Sequence, residues 1–164
     1  MKVFKPALWF LVFIHFSEAM GQQPETFLNT DYIKTKWKDI PYATVSNAQK
    51  LDIYLPDVGV GPFPVILAIH GGAFKFGDKA STHMAYMLQG LKRGYAVISI
   101  NYRMSGEAKA PQLIHDVKAS VRWIRAHANE YKLNGDKIAA WGPSAGGHLS
   151  ALVGTSAEVK ALED

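Results

Sequence analysis

The stretch Gly142-Pro143-Ser144-Ala145-Gly146 decides the fold of this 164-residue chain. It matches the pattern Gly-x-Ser-x-Gly, a sharp turn between a strand and a helix that presents a serine hydroxyl at the end of a sheet. The two outer glycines fit such a turn because it leaves little room for side chains and needs unusual backbone angles. The pattern therefore predicts a strand that ends before the turn and a helix that continues from it.

Apolar segments upstream of the turn predict the strands of a sheet. Residues 65–69 and 95–100 are almost continuously apolar, and residues 138–141 form a third such segment that runs into the serine turn. Continuous apolar runs are typical of parallel strands buried on both faces. Residues 42–46 and 51–55 alternate apolar and polar side chains instead, which predicts an antiparallel hairpin ahead of the parallel strands.

Helices are predicted between these strands. Residues 82–93 carry apolar side chains at helical spacing and are followed by Gly94, a typical C-terminal stop. Residues 111–130 repeat apolar side chains at intervals of three and four, and residues 145–153 continue from the serine as a helix of small residues. The alternation predicts an α/β fold: an open, mainly parallel sheet with helices on both faces and an antiparallel N-terminal lead-in.

A second glycine motif follows the first apolar strand. It reads His70-Gly71-Gly72-Ala73-Phe74 and begins where residues 65–69 end. Consecutive glycines would let backbone N–H groups turn toward one point, which acyl transfer needs because negative charge develops on the carbonyl oxygen. Ligand sites in open α/β sheets lie beyond the carboxyl ends of the strands, where both this motif and the serine turn should lie.

Together these motifs resemble the α/β-hydrolase superfamily, in particular the esterase and lipase group with an HGG oxyanion loop. The greatest resemblance is to the bifunctional feruloyl/acetyl xylan esterase-like (BD-FAE-like) proteins, from about residue 40 to the end of the chain. The residues that carry it are Leu51-Asp52-Ile53-Tyr54-Leu55-Pro56, His70-Gly71-Gly72-Ala73-Phe74, Gly77-Asp78, Gly94-Tyr95-Ala96-Val97, Asn101-Tyr102-Arg103 and Trp141-Gly142-Pro143-Ser144-Ala145-Gly146-Gly147-His148.

The resemblance implies a serine carboxylic-ester hydrolase of the acetyl, feruloyl or general carboxylesterase and lipase type. Ser144 would be the catalytic nucleophile, the backbone N–H groups of Gly71, Gly72 and Ala145 would form the oxyanion hole, and His70 would support the loop. The substrate would be a small-molecule or polysaccharide-linked ester. Neither a cofactor nor a metal is expected. The same machinery also suits an amide hydrolase of the arylformamidase or peptidase kind.

The catalytic acid and base of such a triad follow the serine in the chain, yet no histidine occurs after residue 148. We therefore expect this chain to be the N-terminal half of the fold, truncated after the nucleophile helix. A non-catalytic fragment or binder of hydrolase fold is the alternative from a different class. His148, one helical turn after Ser144, is expected to pack beneath the site. His83 is a further candidate base, whereas His115 and His127 belong to a predicted surface helix and nothing ties them to the site.

Acidic residues near the motifs are expected to have structural roles. Asp116 and Arg103 are predicted to form an ion pair beside the sheet. Asp52 and Asp78 are predicted to order loops. None of these residues is expected to take part in the chemistry.

The N-terminus predicts export. Lys2 and Lys5 precede an apolar run at 7–14, and residues 1–21 are interpreted as a signal peptide. Ala19 and Gly21 would place the cleavage before Gln22, whereas Ser17 and Ala19 would place it before Met20. The run is too short for a stable membrane anchor. Residues 22–39 are then a flexible lead-in and 40–164 the hydrolase domain. With no cysteine in the chain, a secreted or periplasmic protein is expected to rely on its packed core.

The charge is mild, with a formal net value of +4. The only tight basic group is Lys34, Lys36 and Lys38, with Trp37 among them. Solvated lysines on a connecting segment account for this group better than a nucleic-acid site does. No nucleic-acid partner is expected.

Overall fold

The computed structural model of the chain describes residues 26–163. The signal peptide predicted for residues 1–21 lies outside the described residues. Among the described residues, no helix combines the length and the apolar character that crossing a membrane requires.

A five-stranded sheet forms the centre of the molecule, with strand order β1-β2-β4-β3-β5. Pairing is antiparallel between β1 and β2 and between β2 and β4, and parallel where β3 joins β4 and β5. This confirms the predicted open sheet with an antiparallel lead-in. The strands are β1 (Lys36–Pro41), β2 (Lys50–Tyr54), β3 (Phe63–Ile69), β4 (Ala96–Ile100) and β5 (Leu133–Trp141).

Helices cover both faces of the sheet. A 3-10 helix at Thr82–Arg93 lies on one face, whereas α1 (Gln112–Ala126) and α2 (Ala145–Thr155) lie on the other, and a short 3-10 turn follows at Lys160–Leu162. Along β3, Leu67 packs in the cluster on the α1 and α2 side, and Ala68 packs in the cluster on the 3-10 helix side. Both are fully buried, which explains the continuously apolar sequence of this strand.

The predicted hairpin is displaced toward the N-terminus. Residues 42–46 are not a strand; β1 lies at Lys36–Pro41 and pairs with β2. The reason lies in the side chain of Gln49, whose Oε1 accepts hydrogen bonds from the backbone N–H groups of Val45 (2.9 Å) and Ser46 (3.0 Å) and so closes a compact loop. Tyr42 is buried within the core and its hydroxyl donates to the Asn101 carbonyl at 2.7 Å.

The lead-in predicted to be flexible over 22–39 is ordered within its described part. The Leu28 N–H donates to the Ala80 carbonyl at 2.7 Å, and β1 begins before residue 40. The Lys36 ammonium group donates to the carbonyls of Thr30 (2.7 Å) and Ile33 (3.1 Å). Lys36 therefore stabilises the turn before β1 through these hydrogen bonds, whereas the sequence predicts a fully solvated side chain at this position.

Two further boundaries differ from the predictions. The helix expected over 111–130 ends at Ala126, and at the next residue the backbone N–H and the Nδ1 of His127 both lie within 3.0 Å of the Trp123 carbonyl oxygen. The strand expected at 138–141 begins earlier, at Leu133. Its pairing with β3 jumps from Pro64–Asn134 to Val65–Ile138, so the turn-like residues 135–137 form an irregularity within β5.

Candidate active site

Ser144 lies at the turn between β5 and α2 with an exposed side chain. Its backbone angles are φ 50° and ψ −117°, a region that non-glycine residues rarely adopt. Holding a residue there costs about 1–3 kcal/mol, and the conformation persists only because the surrounding structure enforces it. This turn conformation exposes the serine side chain at the end of the sheet, as the Gly-x-Ser-x-Gly pattern predicts.

The two outer glycines of the motif let this turn pack directly against β3. A Cβ atom at Gly142 or at Gly146 would overlap the carbonyl oxygen of Ile69. The close backbone approach therefore fixes the height of the turn relative to the end of β3, where the second motif begins.

The loop after β3 lies beside the serine. A Cβ atom built at Gly71 would be 3.5 Å from the Cβ of Ser144 and 2.9 Å from the Pro143 carbonyl oxygen. Gly72, Ala73 and Phe74 follow with φ values of 110°, 52° and 62°, so the loop coils through three successive left-handed residues. The structure thus brings together two motifs that are far apart in the sequence, with Gly72 and Ser144 separated by 72 positions.

His70 is buried beneath this loop, at 2% exposure. Its Nδ1 is 2.7 Å from the Gly71 carbonyl oxygen, and its ring stacks on Tyr102 with centroids 4.5 Å apart. Burial lowers the pKa of His70, so the imidazole is neutral at pH 7 and can donate its Nδ1 proton to Gly71. The Tyr102 hydroxyl donates in turn to the His70 carbonyl at 3.0 Å.

The sequence places Asn101-Tyr102-Arg103 at the carboxyl end of a predicted strand, where ligand sites lie, but it assigns Tyr102 no role of its own. Tyr102 is fully buried, and burial raises its pKa to about 12, so the hydroxyl keeps its proton at physiological pH. The signal available in the sequence was its place in Asn101-Tyr102-Arg103 at the end of β4, the strand next to β3.

Within residues 26–163, no histidine forms a hydrogen bond with the Ser144 hydroxyl. The prediction that His148 packs beneath the site is wrong, because this residue is exposed and its ring meets the edge of Phe74 at 5.9 Å. His127 stacks on Trp123 at 4.2 Å. Within the same described range, no cluster of three or more His, Cys, Asp or Glu side chains suits a metal ion.

The predicted ion pair between Arg103 and Asp116 is confirmed, with Nη2 2.7 Å from Oδ1. Asp116 is 1% exposed and also accepts from the Arg103 backbone N–H at 2.9 Å and from Gln49 Nε2 at 2.7 Å. The hydrogen bonds to Asp116 raise the pKa of the Arg103 guanidinium. The pair joins α1 to the segment after β4.

Asp78 orders a loop, as predicted. Its Oδ2 accepts from Asn101 Nδ2 at 2.8 Å and its Oδ1 accepts from the Ala80 N–H at 2.7 Å. The Asn101 Oδ1 accepts from the Lys79 N–H at 2.6 Å. These bonds fasten the residues after the glycine loop to the end of β4.

Asp52 does more than order a loop, because it lies fully buried within β2. Its Oδ1 is 2.7 Å from Lys79 Nζ and accepts from the Asp39 N–H at 2.8 Å, while its Oδ2 accepts from the Tyr54 hydroxyl at 3.0 Å. Burial would lower the pKa of Lys79, but its bonds to Asp52 and Asp39 outweigh burial and raise it. The charged network anchors the far end of the glycine loop to the sheet.

Comparison with known proteins places this geometry among esterases. The sequence is 40% identical over 116 residues to the probable carboxylic ester hydrolase LipM of Mycobacterium tuberculosis, covering 70% of this chain and 27% of the relative. A truncated carbohydrate esterase from gut microbiota superposes with a TM-score of 0.73 at 39% identity, over 82% of this chain and 48% of the other. The bifunctional GH43-CE protein of Bacteroides eggerthii superposes with a TM-score of 0.68 at 44% identity, over 76% and 16%.

The chain spans 27% of the length of LipM and 28% of the length of Esterase LipC, another relative from Mycobacterium tuberculosis. The predicted α/β-hydrolase fold is confirmed by the superpositions. The family model BD-FAE matches residues 51–164, which include both glycine motifs and Ser144. The chain belongs to the BD-FAE family of α/β-hydrolase esterases.

Proposed function

We propose that the protein is a serine carboxylic-ester hydrolase that works through an acyl-enzyme on Ser144. The observation that carries the proposal is the position of Gly71 against the strained Ser144 turn. A nucleophile and a coiled backbone loop meet at one point, as attack on an ester carbonyl requires.

The reaction would run in two half-reactions. The Ser144 oxygen attacks the ester carbonyl carbon, and the backbone N–H groups of Gly71, Gly72 and Ala145 hold the oxygen that becomes negative. The bond to the alcohol then breaks, and the serine proton passes to the departing alcohol. Water attacks the acyl-enzyme, releases the acid and returns a proton to Ser144. Losing one oxyanion donor costs about 2.7–4 kcal/mol of transition-state stabilisation.

The proton transfer needs a general base. Within residues 26–163, no histidine is bonded to Ser144, and the chain covers 27% of the mycobacterial relative LipM. We therefore propose that sequence of the full-length protein outside the described residues supplies a histidine and its orienting acid. The same observation favours the second candidate, a chain that by itself binds but does not turn over esters.

Substrate and export belong to the same proposal. The carbohydrate esterase and the GH43-CE protein among the structural neighbours support a polysaccharide-linked ester, acetyl or feruloyl in type.

The basic and apolar pattern of residues 1–21 supports a cleaved signal peptide and a secreted or periplasmic location. N-terminal sequencing of the mature protein distinguishes cleavage before Gln22 from cleavage before Met20.

The test of the chemistry is the variant Ser144→Ala in the protein encoded by the full gene. We expect hydrolysis of p-nitrophenyl acetate and labelling by a fluorophosphonate probe both to be lost. The matched control is Ser150→Ala on the same helix, which removes only a hydroxyl bonded to the Gly146 carbonyl at 2.7 Å. Retained hydrolysis by Ser144→Ala would exclude the mechanism, and a faster reaction with a matched formamide would identify an amide hydrolase.

A further inference from the structure

Two successive carbonyl groups at the start of the glycine loop (residues 70–74) are each held by a side chain. The Tyr102 hydroxyl donates to the His70 carbonyl at 3.0 Å, and Nδ1 of His70 is 2.7 Å from the Gly71 carbonyl oxygen. Because a carbonyl oxygen can only accept, this Nδ1 carries the imidazole proton. The two bonds are made to the peptide units that contain the N–H groups of Gly71 and Gly72.

The planarity of the peptide unit links each of these carbonyl groups to an N–H group. In a trans unit the C=O and the N–H lie in one plane and point in opposite directions. The direction of the His70 carbonyl therefore fixes that of the Gly71 N–H, and the direction of the Gly71 carbonyl fixes that of the Gly72 N–H. A hydrogen bond on one side of each plane orients the donor on the other side.

Both N–H groups are available to a ligand. Across residues 26–163, neither the Gly71 N–H nor the Gly72 N–H is hydrogen-bonded to a backbone or side-chain acceptor. Gly71 also lies against the serine turn, since a Cβ atom built on it would be 3.5 Å from the Cβ of Ser144. Free backbone donors beside a nucleophile suit an oxygen that becomes negative during the reaction.

Tyr102 can hold this orientation because its own position is fixed. The residue is fully buried, and its ring stacks on the His70 ring with centroids 4.5 Å apart and planes inclined by 15°. On its C-terminal side, the Arg103 N–H donates to the Asp116 carboxylate at 2.9 Å. Tyr102 is thus held between the end of β4 and helix α1.

We propose that Tyr102 is a positioning residue for ester hydrolysis, whose hydroxyl orients the Gly71 N–H toward the reacting carbonyl oxygen by holding the His70 carbonyl. The stacked His70 orients the Gly72 N–H in the same way. This role rests on the proposed function, because it concerns the donors that stabilise the negative oxygen. A donor that is already oriented needs no rearrangement when charge develops, so loss of the orientation raises the barrier and leaves substrate binding unchanged.

The test is Tyr102→Phe in the protein encoded by the full gene, which removes the hydroxyl and keeps the ring. We expect kcat for p-nitrophenyl acetate to fall about 10- to 100-fold, less than the roughly 100- to 1,000-fold that follows loss of a whole donor. KM should stay within about twofold of its value in the unmodified protein, because ground-state binding is not affected.

Tyr42→Phe is the matched control. Tyr42 is also buried, and its hydroxyl donates to a backbone carbonyl, that of Asn101 at the end of the same strand, at 2.7 Å. The control therefore loses a hydrogen bond of the same kind that does not orient a glycine N–H. Its kcat should stay within about twofold of that of the unmodified protein.

A trifluoromethyl ketone inhibitor gives a readout that a merely structural role would not change. The attacking serine converts it to a tetrahedral adduct with a negative oxygen, so its inhibition constant should rise in Tyr102→Phe by the factor by which kcat/KM falls. His70→Phe keeps an aromatic ring beside Tyr102 and removes the bond to the Gly71 carbonyl. It should show the same pattern, and it replaces Tyr102→Phe if that variant does not fold.

The possible results separate the two proposals. An unchanged kcat in the folded variants, an equal loss of kcat in Tyr102→Phe and Tyr42→Phe, or a change confined to KM would overturn the positioning role while ester hydrolysis persists. If the unmodified protein hydrolyses no ester, the proposed function itself is overturned.

Discussion

Arg103 and Asp116 form a two-pronged contact: Nε lies 2.9 Å and Nη2 2.7 Å from different oxygens of the same carboxylate. Arg103 ends the motif that follows β4, and Asp116 lies in the first turns of α1. The contact holds the segment between these two residues, in which the Ser105 N–H donates to the Phe74 carbonyl of the glycine loop at 2.7 Å. A structural ion pair thereby stabilises the segment that is bonded to the glycine loop beside Ser144.

Breaking this pair should destabilise the protein strongly. Asp116→Leu leaves the guanidinium of Arg103, 15% exposed, without its carboxylate, and we expect a loss of about 3–5 kcal/mol in the free energy of unfolding. Urea denaturation measures it. In the control, the double variant Arg103→Leu/Asp116→Leu should lose less than Asp116→Leu alone, and an equal or greater loss would show that the ionic contact is not the cause.

A methyl group at Gly146 should disrupt the serine turn. Its Cβ would overlap the Ile69 carbonyl oxygen, so Gly146→Ala is expected to lower the free energy of unfolding by more than about 3 kcal/mol, as overpacking against backbone does. Gly154→Ala on the same helix is the matched control, since a Cβ there meets nothing within 4 Å.

The control should gain about 0.5–1 kcal/mol, because alanine is the better helix former. Thermal denaturation of both variants measures the contrast. Similar effects at the two positions would show that α2 does not pack against β3 as closely as the structure indicates.

The strain at Ser144 predicts a conflict between stability and chemistry. Ser144→Gly releases a backbone conformation of φ 50° and ψ −117°, and we expect a gain of about 1 kcal/mol in the free energy of unfolding. Ser144→Ala keeps the strain, so its stability should stay near that of the unmodified protein. Differential scanning calorimetry distinguishes them, and equal melting temperatures for the two variants would mean that the turn stores no strain. Both variants should be inactive under the proposed mechanism.

The buried His70 predicts a stability that depends on pH. Burial holds its pKa below the ordinary value of 6.5, so the folded state binds this proton less readily than the unfolded state does. Stability is therefore fully present above about pH 6.5 and falls as the pH drops toward the folded pKa.

His70→Gln removes the titrating group, and the loss of stability between about pH 7 and 5 should become shallower than in the unmodified protein. Urea denaturation at a series of pH values measures the slope. His83→Gln, at an exposed position on the 3-10 helix, is the matched control and should leave the slope unchanged. An identical slope in the His70 variant would show that another group governs the acid sensitivity.

The order of elements and the two glycine motifs could be predicted from sequence, because each depends on local chemistry. An apolar run such as 65–69 has to be buried on both faces, and glycines at 142 and 146 permit a turn that other residues would block. The hairpin could not be placed correctly. Its start depends on Gln49, whose side-chain oxygen accepts hydrogen bonds from the backbone of residues 45 and 46. The periodic pattern of apolar residues does not reveal such hydrogen bonds.

By itself, then, the sequence determined the α/β architecture, the serine turn between a strand and a helix, and the family, since these depend on residue type and spacing along the chain. Only the tertiary structure decided that Gly71 lies against Ser144 and that His70 stacks on Tyr102. Those relationships join residues far apart in the chain. Their physical cause is the packing of β3, β4 and α2 against one another, which depends on the shapes of all three elements at once.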